Sequence, residues 1–322
     1  MHDMHHMQEN IPAPVLLPPK SDLVSIVVLT FNSAETILET LASLLHQNYP
    51  ALEVIIADDG SKDLTIAVVT EWISANGGNF ERIEVIQAEI NGGICANVAR
   101  GYAVARGKWI KPIAGDDMLL GGAIRRFMEI ASDNDCSVIV SQMKTFKKSS
   151  HVGNVFGEVM PSPEDAKAIQ SDTLDLLKIL RVRNVLPAPS VMLKKEDFEN
   201  VGGIDRRFFH LDDWPLWINL LLHGKKIVWL PEPLVAYRVS ENSISASKNS
   251  TLVKPEFLQD HITFYENYQV GHLPMFAHWD RMLEIFRFKM AKNALRKYPR
   301  FYTATGILRF LSPIYIKRRL RR

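Results

Sequence analysis

From Leu23 onward, short apolar runs alternate with stretches whose apolar residues recur every three or four positions, and no other feature constrains the fold as strongly. Val24–Leu29 reads as a buried strand, and Ala34–Gln47 follows with Ile37, Leu41, Leu44 and Leu45 at helical spacing. The unit repeats. Strands over Glu53–Ala57, Ile83–Gln87 and Lys108–Ile113 are each followed by a helix, over Asp63–Ala75, Ile94–Arg106 and Leu120–Ala131. Parallel strands need such crossovers, so the order predicts an α/β chain with a doubly wound, mostly parallel sheet covered on both faces.

Strand Ser137–Met143 closes this half, and Lys144–Ile169, polar and broken by Pro and Gly, reads as a long functional loop. Periodicity resumes in helix Leu174–Leu180, strand Ser190–Lys194, helix Lys195–Val201 and helix Trp214–His223, then in short strands Ile227–Leu230 and Val235–Val239. Beyond a boundary near Ser245–Val253 only helices are expected, the clearest over Phe257–Tyr268 and Met282–Tyr298. The expected organisation is a mobile lead-in over residues 1–20, an α/β domain over 21–250 and a helical, basic C-terminal extension over 251–322. His2, His5 and His6 in the lead-in fit a solvated tip better than a metal site.

With 47% hydrophobic and 23% charged residues, the chain is excluded from the disordered, collagenous and coiled-coil classes. Cys95 and Cys136 provide no disulfide framework and no zinc spacing, which fits a reducing, cytoplasmic setting. Val24–Leu29 and Leu220–Leu222 fall far short of the roughly 20 apolar residues of a spanning helix, and the N-terminal stretch lacks a signal pattern, so neither spanning nor export is expected. The net charge of +2 is unevenly spread: Ile285–Arg322 holds twelve Lys/Arg and no Asp/Glu, leaving 26 basic against 36 acidic residues elsewhere. A basic tail on an acidic body predicts that the tail meets an anionic surface, either phospholipid or nucleic acid.

Ligands of open parallel sheets bind beyond the carboxyl ends of the strands. Asp58-Asp59 stand there after one strand and Asp116-Asp117 after another. Adjacent carboxylates repel, and they make sense where N–H donors or a divalent cation compensate them. A turn with a helix cap also accounts for Asp58-Asp59-Gly60-Ser61. A third pair, Asp212-Asp213, precedes Trp214-Pro215, where capping again suffices. Asn91-Gly92-Gly93 allows a tight turn ahead of a helix N-terminus that could face a phosphate, a weak signal by itself.

Taken in order, these segments resemble the inverting family 2 glycosyltransferases, whose nucleotide-sugar-binding domain is the doubly wound GT-A type. Ser25–Asn32 resembles the family's opening strand, Glu53–Asp63 its Asp-Asp-Gly-Ser segment, and Asn91–Ile94 with Ala105–Ile110 its central segment. Ala114–Asp117 takes the place of its metal-binding acidic motif, Leu211–Trp217 resembles the segment with the catalytic base, and Tyr237–Ser245 the one that closes over the donor. The resemblance implies metal-assisted, inverting transfer of a hexosyl or N-acetylhexosaminyl unit from a nucleoside diphosphate sugar, UDP-type, to a growing bacterial surface glycan, lipid-linked acceptors included. It implies Asp213 as the catalytic base and Asp117 as the ligand of Mn²⁺ or Mg²⁺. Thr30, Asn32, Asp59, Asn91, Asp116 and Arg238 would bind the donor, Asp59 at a uracil-type base and Asp116 at the ribose or sugar. Asp212 and Trp214 are the acceptor-side candidates.

Departures thin this set. Ala114 stands where the family often has another Asp, Asn219 where it has a basic residue and Ser240 where it has His. Arg100 is expected on the surface, and Trp217 and Trp229 in the core, because both lie in apolar runs. Two readings compete with the transferase. A sugar nucleotidyltransferase would need a Gly-rich, basic segment after the first strand, and Thr30–Ala34 has neither feature. A nucleic-acid-binding protein would act through the tail with a steep salt dependence. The tail also interleaves its cations with Phe286, Phe288, Tyr298, Phe301, Tyr302, Phe310 and Tyr315, which suits an anionic membrane surface better than nucleic acid. A peripheral position on the inner face of the cell membrane is therefore expected.

Overall fold

The alternation of the apolar runs is realised as a nine-stranded sheet with helices on both faces, in a computed structural model that describes residues 21–149, 153–239 and 255–295. In chain order the elements are β1 (Val24–Thr30), α1 (Ile37–Leu44), β2 (Leu52–Asp58), α2 (Thr65–Asn76), β3 (Arg82–Gln87), α3 (Ile94–Val104), β4 (Trp109–Ala114), β5 (Met118–Leu119), α4 (Ala123–Asp133), β6 (Val138–Ser149) and β7 (Gly153–Met160). They continue with α5 (Pro163–Ile169), α6 (Thr173–Val182), β8 (Val191–Lys194), α7 (Lys195–Asn200), α8 (Trp214–Leu222), β9 (Ile227–Arg238), α9 (Pro255–Phe264) and α10 (Met275–Leu295). The sheet order is β3-β2-β1-β4-β8-β6-β9-β5, with β7 paired to β6. β3, β2, β1 and β4 are all parallel, as are β6 and β9, whereas β8, β5 and β7 run against their neighbours.

Successive residues of a strand face opposite sides, and β1 and β2 are apolar on both. Val27, Ile55 and Ile110 join the core that contains residues of α3, α6 and α8, while Ile26, Val28, Val54 and Ile56 join the core on the side of α1, α2 and α4. An eight-residue helix such as α1 has little stability alone, so burial of Ile37, Leu41 and Leu44, each at about 1.5–3 kcal/mol, holds it in place. Close approach matters at Gly101 of α3, where a Cβ would lie 2.6 Å from Val27 Cγ1.

Three expectations change. Lys144–Ile169 is not a loop, because β6 continues to Ser149, pairs with β7 and is followed by α5. Phe156, Val159 and Met160 of β7 are exposed, so its apolar residues mark no buried face to read. The two short strands expected after α8 are one strand, β9, whose Pro231 and Pro233 are accommodated by register shifts against Ser141–Met143 of β6. The helical region after Pro255 also begins inside the main core. Phe264 and Tyr268, the latter in a π-helical turn over Tyr265–Gln269, pack with Phe208 and Trp214. The lead-in, Ser240, the boundary near Ser245–Val253 and the tail beyond Leu295 lie outside the described residues. Among the described residues no helix is long and apolar enough to cross a membrane.

Candidate active site

Asp58 and Asp59 end β2 and do different things. Asp58 closes the Asp-Asp-Gly-Ser turn, accepting hydrogen bonds from the Gly60 N–H at 3.1 Å, the Ser61 N–H at 2.8 Å and the Ser61 hydroxyl at 2.5 Å. Asp59 fastens the Asn91–Gly93 turn, accepting from the Gly92 N–H at 3.0 Å, the Gly93 N–H at 2.9 Å and the Arg100 guanidinium. Gly93 is required there, with φ at +86° and the Phe209 ring 2.7 Å from where a Cβ would sit. The Asn91 Oδ1 accepts from the same Gly93 N–H at 3.1 Å. Asn32, at φ +50°, donates its N–H to Ser61 Oγ and accepts from the Lys62 N–H, each at 2.8 Å. Thr30 is buried, and its hydroxyl has no hydrogen-bond partner among the described residues.

The pair after β4 is arranged differently. Asp117 is 1% exposed, its Oδ1 accepts from the Arg238 N–H at 2.8 Å, and its buried Oδ2 has no partner among the described residues. Burial, and then the neighbouring Asp116, push the Asp117 carboxyl well above the usual carboxylate range, against the pull of the Arg238 N–H and Lys111. Burial also raises Asp116, and Arg238 moderates the effect. Arg238 braces this loop: Nε donates to the Asp116 carbonyl at 2.7 Å, Nη2 to Glu39 at 2.9 Å, and the guanidinium stands 4.5 Å from the centre of the Phe146 ring. Behind it lies Lys111, fully buried in β4, whose Nζ donates to the carbonyls of Pro112 and Pro189, each at 2.7 Å. Desolvation lowers its pKa to about 7 in spite of Asp117.

The third pair stands at the start of α8. Asp213 caps the helix, with Oδ1 accepting from the Trp214 N–H at 2.6 Å and Oδ2 from the Asn184 amide at 2.8 Å. Burial raises both carboxyls, and Asp213 raises Asp212 further, while the Asn184 and Trp214 donors pull Asp213 back. Asp260 of α9 fixes the approach to this pair by accepting from the N–H groups of Phe209 at 3.1 Å and His210 at 2.6 Å. A largely apolar cavity of about 110 Å³, lined among others by Leu29, Ile94, Ala114, Pro189, Asp212 and Asp213, joins the end of β4 to the start of α8. The end of β4 and a carboxylate pair thus line one cavity.

Residues 25–178 match the family described as glycosyl transferase family 2. The matched residues form a family 2 glycosyltransferase domain. The chain is 27% identical over 239 residues to the putative teichuronic acid biosynthesis glycosyltransferase TuaG of Bacillus subtilis, covering 73% of this chain and 86% of TuaG. It is 24% identical over 276 residues to the UDP-Glc:alpha-D-GlcNAc-diphosphoundecaprenol beta-1,3-glucosyltransferase WfaP of Escherichia coli, covering 85% of this chain and 100% of WfaP. Its fold is similar to that of residues 1–349 of S. aureus TarS in complex with UDP-GlcNAc, with a TM-score of 0.59, 19% identity, and coverage of 90% of this chain and 82% of that one. The chain spans 43% of the longer TarS structure. The fold is thus of the GT-A type.

Within this glycosyltransferase domain the sequence expectations fare unequally. Trp214 is not on an acceptor surface: it is buried, its Nε1 donates to the Leu180 carbonyl at 2.6 Å, and its ring lies 4.1 Å from that of Phe264. Arg100 is half-buried rather than solvated, with its guanidinium turned toward Asp59. Trp217 is core, and Trp229 is half-buried against the same core. Asn219, where the family often carries a cation, donates to the Tyr268 hydroxyl at 3.3 Å and so helps to dock the C-terminal helices. Lys111, Asn184, Glu39 and Asp260 were not singled out from the sequence. Only Lys111 left a signal there, as a charge inside the apolar run Trp109–Ile113.

Proposed function

We propose that the domain transfers a sugar, with inversion, from a nucleoside diphosphate sugar of the UDP type to a hydroxyl of a growing, lipid-linked surface glycan. The observation that carries this reading is the cavity that Asp212 and Asp213 share with Ala114, three residues before Asp117, at the end of β4. Asp213 is the general base. Its two oxygens are oriented by the Trp214 N–H and the Asn184 amide, and its raised pKa favours acceptance of a proton at near-neutral pH. As the acceptor oxygen attacks the anomeric carbon, its proton passes to Asp213 while the bond to the nucleoside diphosphate breaks on the opposite face. Asp212 and Asp213 share their protonation as one acidic unit, with Asp212 on the acceptor side.

The buried, unpartnered Oδ2 of Asp117 fits a divalent cation, Mn²⁺ or Mg²⁺, and Asp117 would hold it together with donor phosphates and water. When bound, such an ion stabilises the charge that develops on the leaving diphosphate. Asp116 reaches the ribose or sugar, and Thr30, Asn32, Asp59 and Asn91 form the nucleotide side, with Arg238 holding the Asp116-Asp117 loop in place. The similar proteins support this class of substrates, since TarS is bound to UDP-GlcNAc and WfaP is a glucosyltransferase that uses UDP-Glc on a diphosphoundecaprenol-linked sugar. The reading places the enzyme at the inner face of the cell membrane, with residues 21–250 as the catalytic unit and 251–322 as an extension that meets anionic lipid.

A thermal-shift screen of nucleoside diphosphate sugars with and without Mn²⁺ tests the donor, because a ligand of the native state raises its stability. A UDP-sugar should stabilise the protein, more so with Mn²⁺, and the anomeric configuration of the product should be opposite to that of the donor. Retention of configuration, or no stabilisation by any such sugar, overturns the proposal.

A further inference from the structure

Helix α10 shows its apolar side to solvent. At about 100° per residue, Met275, Phe276, Trp279, Met282 and Phe286 fall within an arc of about 120°. They are exposed by 76, 62, 56, 48 and 55%, respectively. The opposite arc, His278, Arg281 and Ile285, faces the protein: a His278 ring nitrogen lies 3.2 Å from the Tyr265 hydroxyl, the Arg281 side chain is 16% exposed, and Ile285 is buried. A surface helix of a globular domain has the reverse arrangement, and a contiguous apolar row of this size marks an interaction site.

We infer that this face of α10 docks on an anionic lipid bilayer, an inference that rests on the membrane part of the proposed function and names the surface responsible. Charge selects the partner. From Ile285 to Arg322 the sequence carries twelve cations and no anions, and exposed Lys289 borders the apolar arc. A second copy would bring another twelve cations to the same seam, whereas anionic headgroups neutralise them. Inserted aromatics together with a cationic stretch give the two signals that stable peripheral attachment needs. The docking face is also tied to the site: α10 meets Tyr265 through His278, and Phe264 lies on Trp214, the residue after Asp213. A bilayer beneath α10 therefore holds the base helix where a lipid-linked acceptor is found.

The full-length chain is mixed with phosphatidylcholine vesicles that contain or lack phosphatidylglycerol, with acyl chains brominated in a parallel set. Trp72, Trp109, Trp214 and Trp217 are buried and Trp229 is half-buried, so bromine in the acyl layer reads chiefly Trp279. The protein should pellet with anionic vesicles and lose part of its emission to bromine. Trp279→Phe should still pellet but lose the quenching, and the triple variant Phe276→Ser, Trp279→Ser, Phe286→Ser should partition about tenfold more weakly. UDP-sugar thermal stabilisation should persist in both variants, which verifies the fold and separates this result from failure of the transferase reading. Pelleting without quenching would assign the attachment to the cations alone, no pelleting would remove it, and a dimer that the triple variant dissociates would make the face a seam between copies. Each of those outcomes overturns the inference.

Discussion

Asp58-Asp59 ends β2 and Asp116-Asp117 follows β4, the two strands that flank β1, and in sequence both read as Asp-Asp after an apolar run. In the first pair every carboxylate oxygen accepts at least one hydrogen bond, from the turn, the glycine loop or Arg100. In the second, Asp117 keeps one oxygen buried without a partner among the described residues, and burial raises both pKa values. A satisfied buried carboxylate contributes to stability, whereas an unsatisfied one costs stability and is ready for a ligand. Identical dipeptides thus become a latch and a site, and the difference lies in donors supplied by distant segments.

The largest expected effect concerns the third pair, which combines features of both. Asp213 has a donor on each oxygen, as Asp59 does, but a raised pKa, like Asp117. Asp213→Asn should lower the rate of sugar transfer by about 10²–10⁴-fold while leaving donor affinity nearly unchanged, because Asn cannot take the acceptor proton. Initial rates and calorimetric titration of the UDP-sugar decide this. A variant near the wild-type rate would place Asp213 with the latches, as a helix cap.

Next in size is the removal of a latch. Asp59→Ala should destabilise the fold by about 3 kcal/mol, since it strands the Gly92 N–H, leaves the Gly93 N–H to Asn91 alone and removes the carboxylate partner of Arg100. Chemical denaturation measures the loss, and Arg100→Ala should lose less because its side chain is 30% exposed. If Asp59→Ala is as stable as the wild type, the first pair is not structural and the contrast between the pairs fails.

What the sequence could and could not convey follows the same division. The units β1–α1 to β4–α4 are legible because their strands are buried on both sides and their helices on one, so apolar spacing alone identifies them. The acidic pairs are legible as positions beyond strand ends. Their roles are not, because Arg100 reaches Asp59 across 41 residues and Asn184 reaches Asp213 across 29. Trp214 misleads for a related reason. Its place beside Asp213 is fixed by sequence, but its direction is set by the Leu180 carbonyl and Phe264, which only the packing of α6 and α9 brings near.

The second pair should respond with the opposite sign. Asp117→Asn should stabilise the metal-free protein by about 1–3 kcal/mol, because it removes an uncompensated buried charge in favour of a neutral group of similar shape. It should also abolish any gain in UDP affinity caused by Mn²⁺. Denaturation in the presence of a chelator, and calorimetry with and without Mn²⁺, check the two halves independently. A loss of stability would mean that the unpartnered oxygen is satisfied in solution.

The smallest effect, at Asp116, tests whether the contrast survives partial exposure and depends on pH. Burial raises the Asp116 pKa and Arg238 offsets part of that rise, so the carboxylate form is only mildly disfavoured in the fold. Between the ordinary carboxylate pKa of about 4 and the raised folded values, the native state binds more protons than the unfolded state, so stability falls as pH rises through that window. Glu53 acts in the opposite direction: desolvation pushes its carboxyl up, but hydrogen bonds from Ser25, Arg106, Arg82 and Gly107 outweigh it, so its contribution disappears only as pH falls through its lowered pKa. Above about pH 5 the raised acids therefore dominate the slope. Asp116→Asn should match the wild type near pH 4.5 and exceed it by under about 1 kcal/mol at pH 8 without metal, the small size reflecting Arg238. Urea unfolding at the two pH values measures the difference. A variant less stable than the wild type at pH 8 would mean that Asp116 is held by donors as Asp58 is, and the two pairs would then differ at Asp117 alone.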